Sequence, residues 1–221
     1  MPTKMKLTEM NLLRLFNSPD YENLLKDFTT QRFPKKNLIY SPFEEKNLIF
    51  IVKSGKLRVY LACEDKEFTL AFLEAGDIYS THTRAFVQAL DDTEILVCNT
   101  TKFQQQLAAL PEVSLTMVKV LGDLLKNSIS TIEGLVFKDV RRRLVEYLIG
   151  AAADRGRHTG DGTVIELGLS TEDIALLVGT TRQTISLVLN DFIKNDIIEK
   201  INRRTLLIKN LAALKDWKDS L

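Results

Sequence analysis

Cysteine and histidine are both scarce in this sequence, with two of each among 221 residues. Cys63 and Cys98 lie far apart and form no CxxC pattern, which argues against a structural zinc site or a thioredoxin-like motif. Long apolar runs are missing too. None approaches the roughly 20 residues that span a bilayer, so no membrane partner is expected. The opening "MPTKMKLTEM" lacks the apolar core of a signal peptide, and a cytoplasmic location is expected. Neither charge sign dominates: 30 Lys and Arg against 29 Asp and Glu leave +1. A near-neutral total excludes little, because one domain can carry a basic face while another carries the acids. No catalytic triad, carboxylate pair or phosphate-cradling glycine loop is present, and no enzyme is expected.

What is present changes character near Pro111. Before it, "NLIFIVKSGKLRVYLACEDKEFTLAFLEAGD" reads as successive strands, with turns at "KSGK" and "CEDKE". In "KLRVYLA", the alternation sends Leu57, Val59 and Leu61 one way and Lys56, Arg58 and Tyr60 the other. "TEILVCNTT" is a further strand. Short strands at close spacing suggest a sandwich or jelly-roll. From Pro111, "PEVSLTMVKVLGDLLKNSISTIEGLVFKDV" is one long helix, with proline suited to its first turn. Val118, Leu121, Leu125, Ile132 and Leu135 recur at near-heptad spacing. Such a stripe can pack on its own domain. On a helix this long, lying between two domains, it is also a candidate dimer seam. Gly122 is unfavourable inside a helix but allows close approach by another body.

The most informative stretch lies near the C-terminus. Ser170 and Asp173 have capping-box spacing. Ile174, Leu177 and Val178 give a short helix an apolar face, and Gly179 ends it. Thr181 caps a second helix with inner residues Ile185, Val188, Leu189 and Phe192. Two helices joined through "VGTT" make a helix-turn-helix. "IIEKI" and "TLLIK", around Asn202, Arg203 and Arg204, make a β-hairpin wing. Arg182, Gln183 and Ser186 are then exposed at the start of the second helix, where base edges are read. Thr181, Thr184, Arg203 and Arg204 suit phosphates. Double-stranded DNA is the expected partner.

This layout, and "TTRQTISLVLNDFIKNDIIEK" in particular, resembles the CRP/FNR family of transcription regulators over nearly the whole chain. The resemblance implies an α+β fold in three parts. Residues 1–110 are a jelly-roll sensor domain like a cyclic-nucleotide-binding domain, 111–138 a dimerisation helix, and 139–221 a winged helix-turn-helix domain. It also implies a homodimer on palindromic DNA, acting with RNA polymerase. Leu187 stands where many members carry a guanine-reading arginine, so the half-site is expected to differ.

The signal is sought in "GDIYSTHTRAF", residues 76–86. Cyclic-nucleotide members of the family carry a Gly-Glu pair, a short helix, and an Arg followed by Ser or Thr. Here Gly76 precedes Asp77, Arg84 precedes Ala85, and the segment is too short for that helix. Iron–sulfur members carry an N-terminal cysteine cluster, and this chain has none. The segment, the long helix and the Met1-Pro2 start are similar to the carbon-monoxide-sensing haem members. That similarity implies non-covalent haem b. Its axial ligands would be His82 and the amine of Pro2 once Met1 is removed, with Asn47 holding the histidine's second nitrogen. Val118, Leu121, Gly122 and Leu125 would line the apolar CO pocket. CO would displace Pro2, and the hinge Phe137–Lys138–Asp139 would release the DNA-binding domains, as in an activator. Two residues before the histidine, these members carry a cysteine that ligates ferric iron. Here Ser80 stands there, so nitrogen ligation in both redox states or a different ferric ligand is expected. His158, in the polar "DRGRHTGDG", is expected to be exposed. The competing reading is a regulator of the same family, without haem, answering to another small effector.

Overall fold

The computed structural model describes residue 13 and residues 25–44, 46–64, 66–108 and 111–219. Met1 and Pro2 lie outside the described residues. The chain divides into two compact units that meet between Lys126 and Asn127, inside the long helix.

The first unit is the expected jelly-roll. Its strands are β1 (Thr29–Phe33), β2 (Leu38–Tyr40), β3 (Leu48–Ser54), β4 (Leu57–Cys63), β5 (Lys66–Leu73), β6 (Ile78–Ser80), β7 (Phe86–Ala89) and β8 (Thr93–Asn99). They form two antiparallel sheets of order β1-β8-β3-β6 and β2-β7-β4-β5. Phe50, Val52, Ile95 and Val97 from one sheet meet Leu57, Val59, Leu73 and Val87 from the other in a shared core. The turn at "KSGK" requires glycine. Gly55 has φ +87, and a Cβ there would come within 2.4 Å of Thr93 Oγ1 and 2.6 Å of the Asp92 carbonyl oxygen. Helix α1 (Thr100–Ala108) follows β8, and its buried Phe103 meets the Phe28 ring edge-on.

The alternation in β4 gives the direction of its side chains but not their burial: Leu57, Val59, Arg58 and Tyr60 are all buried, while Leu61 is 42% exposed. The register against β5 shifts between Val59 and Tyr60. Arg58 tolerates burial because it is paired. Its Nε donates to Thr69 Oγ1 at 2.7 Å, its Nη1 donates to Glu67 Oε2 at 2.7 Å, and its guanidinium lies 4.4 Å from the Tyr60 ring centroid.

Helix α2 (Pro111–Phe137) starts at the proline and runs 27 residues. Val118, Leu121, Leu125, Ile129 and Ile132 are all more than half exposed in the single chain. A Cβ on Gly122 would meet nothing within 4 Å. An apolar stripe of this length on one helix face calls for a covering surface. Among the described residues, no helix is long and apolar enough to cross a membrane.

The second unit continues with α3 (Val140–Arg155), β9 (Arg157–Thr159), β10 (Gly162–Glu166), α4 (Thr171–Val178), α5 (Arg182–Lys194), β11 (Ile198–Lys200), β12 (Thr205–Ile208) and α6 (Leu211–Asp219). Its sheet has the order β11-β12-β10-β9. His158 is exposed as expected, but it sits on strand β9 rather than in a loop. Its Nδ1 lies 3.1 Å from Thr163 Oγ1 across the hairpin. Leu144, Val145, Leu148, Ile174, Val178, Ile185 and Phe192 fill the core.

Tyr147 is 1% exposed within that core, and burial pushes its phenol up to about 12. The neutral form is therefore favoured by folding. Stability is whole below pH 10, where the unfolded phenol begins to ionise, and drains away towards pH 12. The expected loss is about 3 kcal/mol. Chemical denaturation between pH 9 and 11.5 checks it, and a Tyr147→Phe variant should show a flatter alkaline profile.

Candidate functional site

Each unit carries one site. In the first unit, strand β6 ends at Ser80 and the chain turns before β7. Residues 81–84 form turns and bends and no helix. The turn is fastened by hydroxyl groups. Thr81 Oγ1 accepts from the Leu48 N–H at 2.9 Å and donates to the Lys46 carbonyl, and the Thr81 N–H donates to the Leu48 carbonyl at 3.0 Å. Tyr79 and Thr83 hydroxyls lie 2.6 Å apart, bridging the turn on either side of His82. Burial pushes the Tyr79 phenol above its ordinary value, so the hydroxyl stays protonated and able to donate. Asp77 is fully buried, and its Oδ2 accepts from the Glu74 N–H at 2.7 Å, so its carboxylate serves the turn before β6.

His82 is exposed on this rigid turn. Its Nδ1 lies 2.7 Å from Ser80 Oγ. Asn47, expected at that nitrogen, is exposed, and its backbone carbonyl accepts from the Thr100 N–H at 3.0 Å. The structure thus brings Ser80, and not Asn47, to the ring. Among the described residues nothing engages Nε2. With its proton on Nδ1, an imidazole held at that nitrogen and open at Nε2 can donate to a metal. Val118, Leu121, Gly122 and Leu125 share a face of α2 that no described residue covers. Pro2 lies outside the described residues.

In the second unit, every expected cap is in place. Ser170 and Asp173 form a reciprocal capping box, with the Asp173 N–H donating to Ser170 Oγ at 3.2 Å and the Ser170 N–H to Asp173 Oδ2 at 2.9 Å. Gly179 takes the left-handed conformation at φ +77 that lets the chain reverse. Thr181 caps α5, and its Oγ1 accepts from the Thr184 N–H at 3.2 Å. Ile185, Val188, Leu189 and Phe192 turn inwards. That leaves Arg182 and Gln183 exposed, Thr184 and Ser186 half-buried, and Leu187 61% exposed on the outer face. In the wing, Asn202 Oδ1 accepts from the Arg204 N–H at 2.8 Å, which shapes the turn and leaves both Arg203 and Arg204 exposed.

Ser170, Thr171, Glu172, Arg182, Lys200 and Arg203 line a concavity of about 400 Å³. It joins the N-terminus of α4, the start of α5 and the wing. Three cations and a helix N-terminus make it suited to a phosphate. Sequence reasoning missed Lys200 and the α4 terminus, because only the packing of the wing beside the two helices brings them to one concavity with Arg182 and Arg203.

A third feature was not anticipated. Arg143 is 7% exposed on α3. Its Nη1 donates to the Lys138 carbonyl at 2.6 Å, its Nε to the Val178 carbonyl at 2.8 Å, and its Nη2 to the Gly179 carbonyl at 3.4 Å. One guanidinium therefore joins the segment between α2 and α3 to the turn of the helix-turn-helix. An arginine inside "VRRRLVEYL" gives no sequence signal for this.

Residues 30–109 match the model of the cyclic nucleotide-binding domain, and residues 142–217 match that of the Crp-like helix-turn-helix domain. A solved structure of a CooA mutant from Carboxydothermus hydrogenoformans is 56% identical, with a TM-score of 0.92, over 97% of this chain and 98% of that one. The CO-dependent transcription factor CooA from the same organism, in its imidazole-bound form, is 57% identical over 97% and 99%, with a TM-score of 0.56. Among curated relatives, the global nitrogen regulator of Synechocystis is 27% identical over 83% of this chain and 86% of its own.

Proposed function

Given that the chain belongs to the CRP family of DNA-binding transcription regulators, we propose that it is a haem-containing, carbon-monoxide-responsive member acting as a cytoplasmic homodimer. The observation that carries this reading is His82, exposed on a hydroxyl-fastened turn with Nδ1 held and Nε2 open. The donor chemistry fits haem iron, which binds imidazole nitrogen. His82 and, after loss of Met1, the amine of Pro2 would hold the group, as in the haem members that the sequence resembles.

When bound, the haem would supply a ferrous iron able to take a neutral diatomic gas. The rest belongs to the chain. His82 keeps the group on the sensor turn. Val118, Leu121, Gly122 and Leu125 offer an apolar face where carbon monoxide needs no hydrogen bond. The same stripe of α2 continues through Ile129 and Ile132 as the seam with a second copy. Occupancy of the sensor then shifts a two-state equilibrium of the DNA-binding domains about the Phe137–Lys138–Asp139 hinge. Arg182, Gln183 and Ser186 read bases, while Thr181, Thr184, Arg203 and Arg204 contact phosphates. RNA polymerase would be the downstream partner.

The test is a pair of measurements on the purified, haem-reconstituted protein. The ferrous absorption spectrum should change on adding carbon monoxide, and retention of a palindromic DNA should depend on the gas. Absence of a Soret band, or a spectrum indifferent to the gas, would refute the reading. The wing makes a separate prediction. Arg203→Ala should weaken binding to all DNA sequences alike and lower the slope of log affinity against log salt by about 1 per wing. Titrations across salt concentrations check it.

A further inference from the structure

We propose that Leu187 is a further base-reading residue, and that it recognises a thymine by packing on the C5-methyl group. This rests on α5 as the helix that meets the bases, and is independent of the haem. Helix α5 has two opposite faces. Ile185, Val188, Leu189 and Phe192 are buried. Gln183, Leu187, Asn190 and Lys194, spaced by three and four residues, form the row opposite them, and all four are exposed. Three of the four are polar. Leu187 is the exception, 61% exposed and one turn beyond Gln183. A single exposed leucine is ordinary on a protein surface. This one stands in the middle of the row that the fold turns away from the core. The surroundings say what that row meets. Arg182, Lys200 and Arg203 share one concavity with Ser170 and Thr171 at the start of α4. A duplex phosphate held there lies beside the first turn of α5, and residues near the start of such a helix are the ones that reach base edges.

The side chain limits what it can read. Leucine has neither donor nor acceptor, so it cannot bond to the edge of a base. In the major groove, thymine alone among the four bases presents a methyl group, and apolar side chains pack on it. Against the amino group of adenine or cytosine, or the two acceptors of guanine, the same side chain displaces water from a polar group and returns no hydrogen bond. Leu187 therefore favours thymine by attraction and disfavours the other bases by lost hydration. Gln183, one turn earlier, carries both a donor and an acceptor and suits adenine. The two residues discriminate by different chemistry, which lets their contributions be separated.

The experiment uses the full-length, haem-loaded protein with carbon monoxide and, in parallel, without it. Duplexes retained from a random pool give the half-site. Each thymine of that site is then replaced in turn by deoxyuridine, which lacks only the C5-methyl. At one position in each half-site the replacement should weaken binding about fourfold, the effect of withdrawing one methyl group from apolar contact. Leu187→Ala should bind the thymine and uracil duplexes alike. Gln183→Ala should weaken both and keep the fourfold difference, because the methyl contact is not its own. Uracil without effect at every thymine would overturn the assignment. So would a difference that survives in Leu187→Ala or vanishes in Gln183→Ala. Each of these leaves DNA binding itself intact. Retention of no duplex in either condition would overturn the role of α5 as well, so the two failures are distinct.

Discussion

His82→Ala is expected to give a protein that folds normally and binds no haem with a native low-spin spectrum. The side chain is exposed and, among the described residues, its one side-chain hydrogen-bond partner is Ser80, so its removal should change stability by no more than about 0.5 kcal/mol. The ligand loss, by contrast, is complete, because no other described histidine lies on this unit: His158 belongs to the second one. The variant should therefore combine a wild-type melting temperature in the absence of haem with loss of gas-dependent DNA binding. Thermal unfolding followed by circular dichroism, an absorption spectrum and a gel shift read the three quantities. A wild-type-like ferrous spectrum from His82→Ala would remove the basis of the proposed function, leaving a family member with another effector.

The second large effect is expected at Arg143, far along the chain and outside any expected contact with DNA. Arg143→Ala leaves three backbone carbonyls, those of Lys138, Val178 and Gly179, without their buried cationic donor. Hydrogen bonds to a charged group contribute about 1.5–3 kcal/mol each. Water can reach part of the vacated space, so the three do not add in full. A loss of about 3 kcal/mol is expected, lowering the melting temperature of the DNA-binding unit by roughly 10–20 °C. Arg143→Lys should recover little, because one ammonium cannot span three carbonyls that a planar fork reaches together. DNA affinity should fall further than Arg203→Ala lowers it, since the turn at Gly179 sets the angle of α5. An unchanged melting temperature in Arg143→Ala would show that the carbonyls find other partners.

Where local chemistry sufficed, the sequence could be read directly. The capping box at Ser170 and Asp173, the left-handed Gly179, the Thr181 cap and the inward face of α5 depend on residues within a few positions of one another, and all appear as expected. Pro111 marked the start of α2 for the same reason. The jelly-roll class was legible from short strands between turns. The faces of its strands were less so. Alternation set Arg58 and Tyr60 opposite Leu57 and Val59 without telling which face is buried, whereas a register shift and partners nine and eleven residues away, Glu67 and Thr69, accompany burial of the arginine. Periodicity carries no record of such pairings.

The sequence by itself determined the type of molecule: a β-rich sensor, a long apolar-striped helix and a winged helix-turn-helix, together with the lone sensor histidine at position 82. Those features rest on hydrophobic period, capping residues and turn residues, which act over one or two turns of chain. The tertiary structure decided which atoms meet. It placed Ser80 rather than Asn47 at His82 Nδ1, brought Lys200 beside Arg203, and joined the segment between α2 and α3 to the recognition turn through Arg143. The arginine contact depends on helices far apart in the chain having packed, while the first two turn on side-chain direction within a few residues, and hydrogen bonds are made or lost over less than 1 Å.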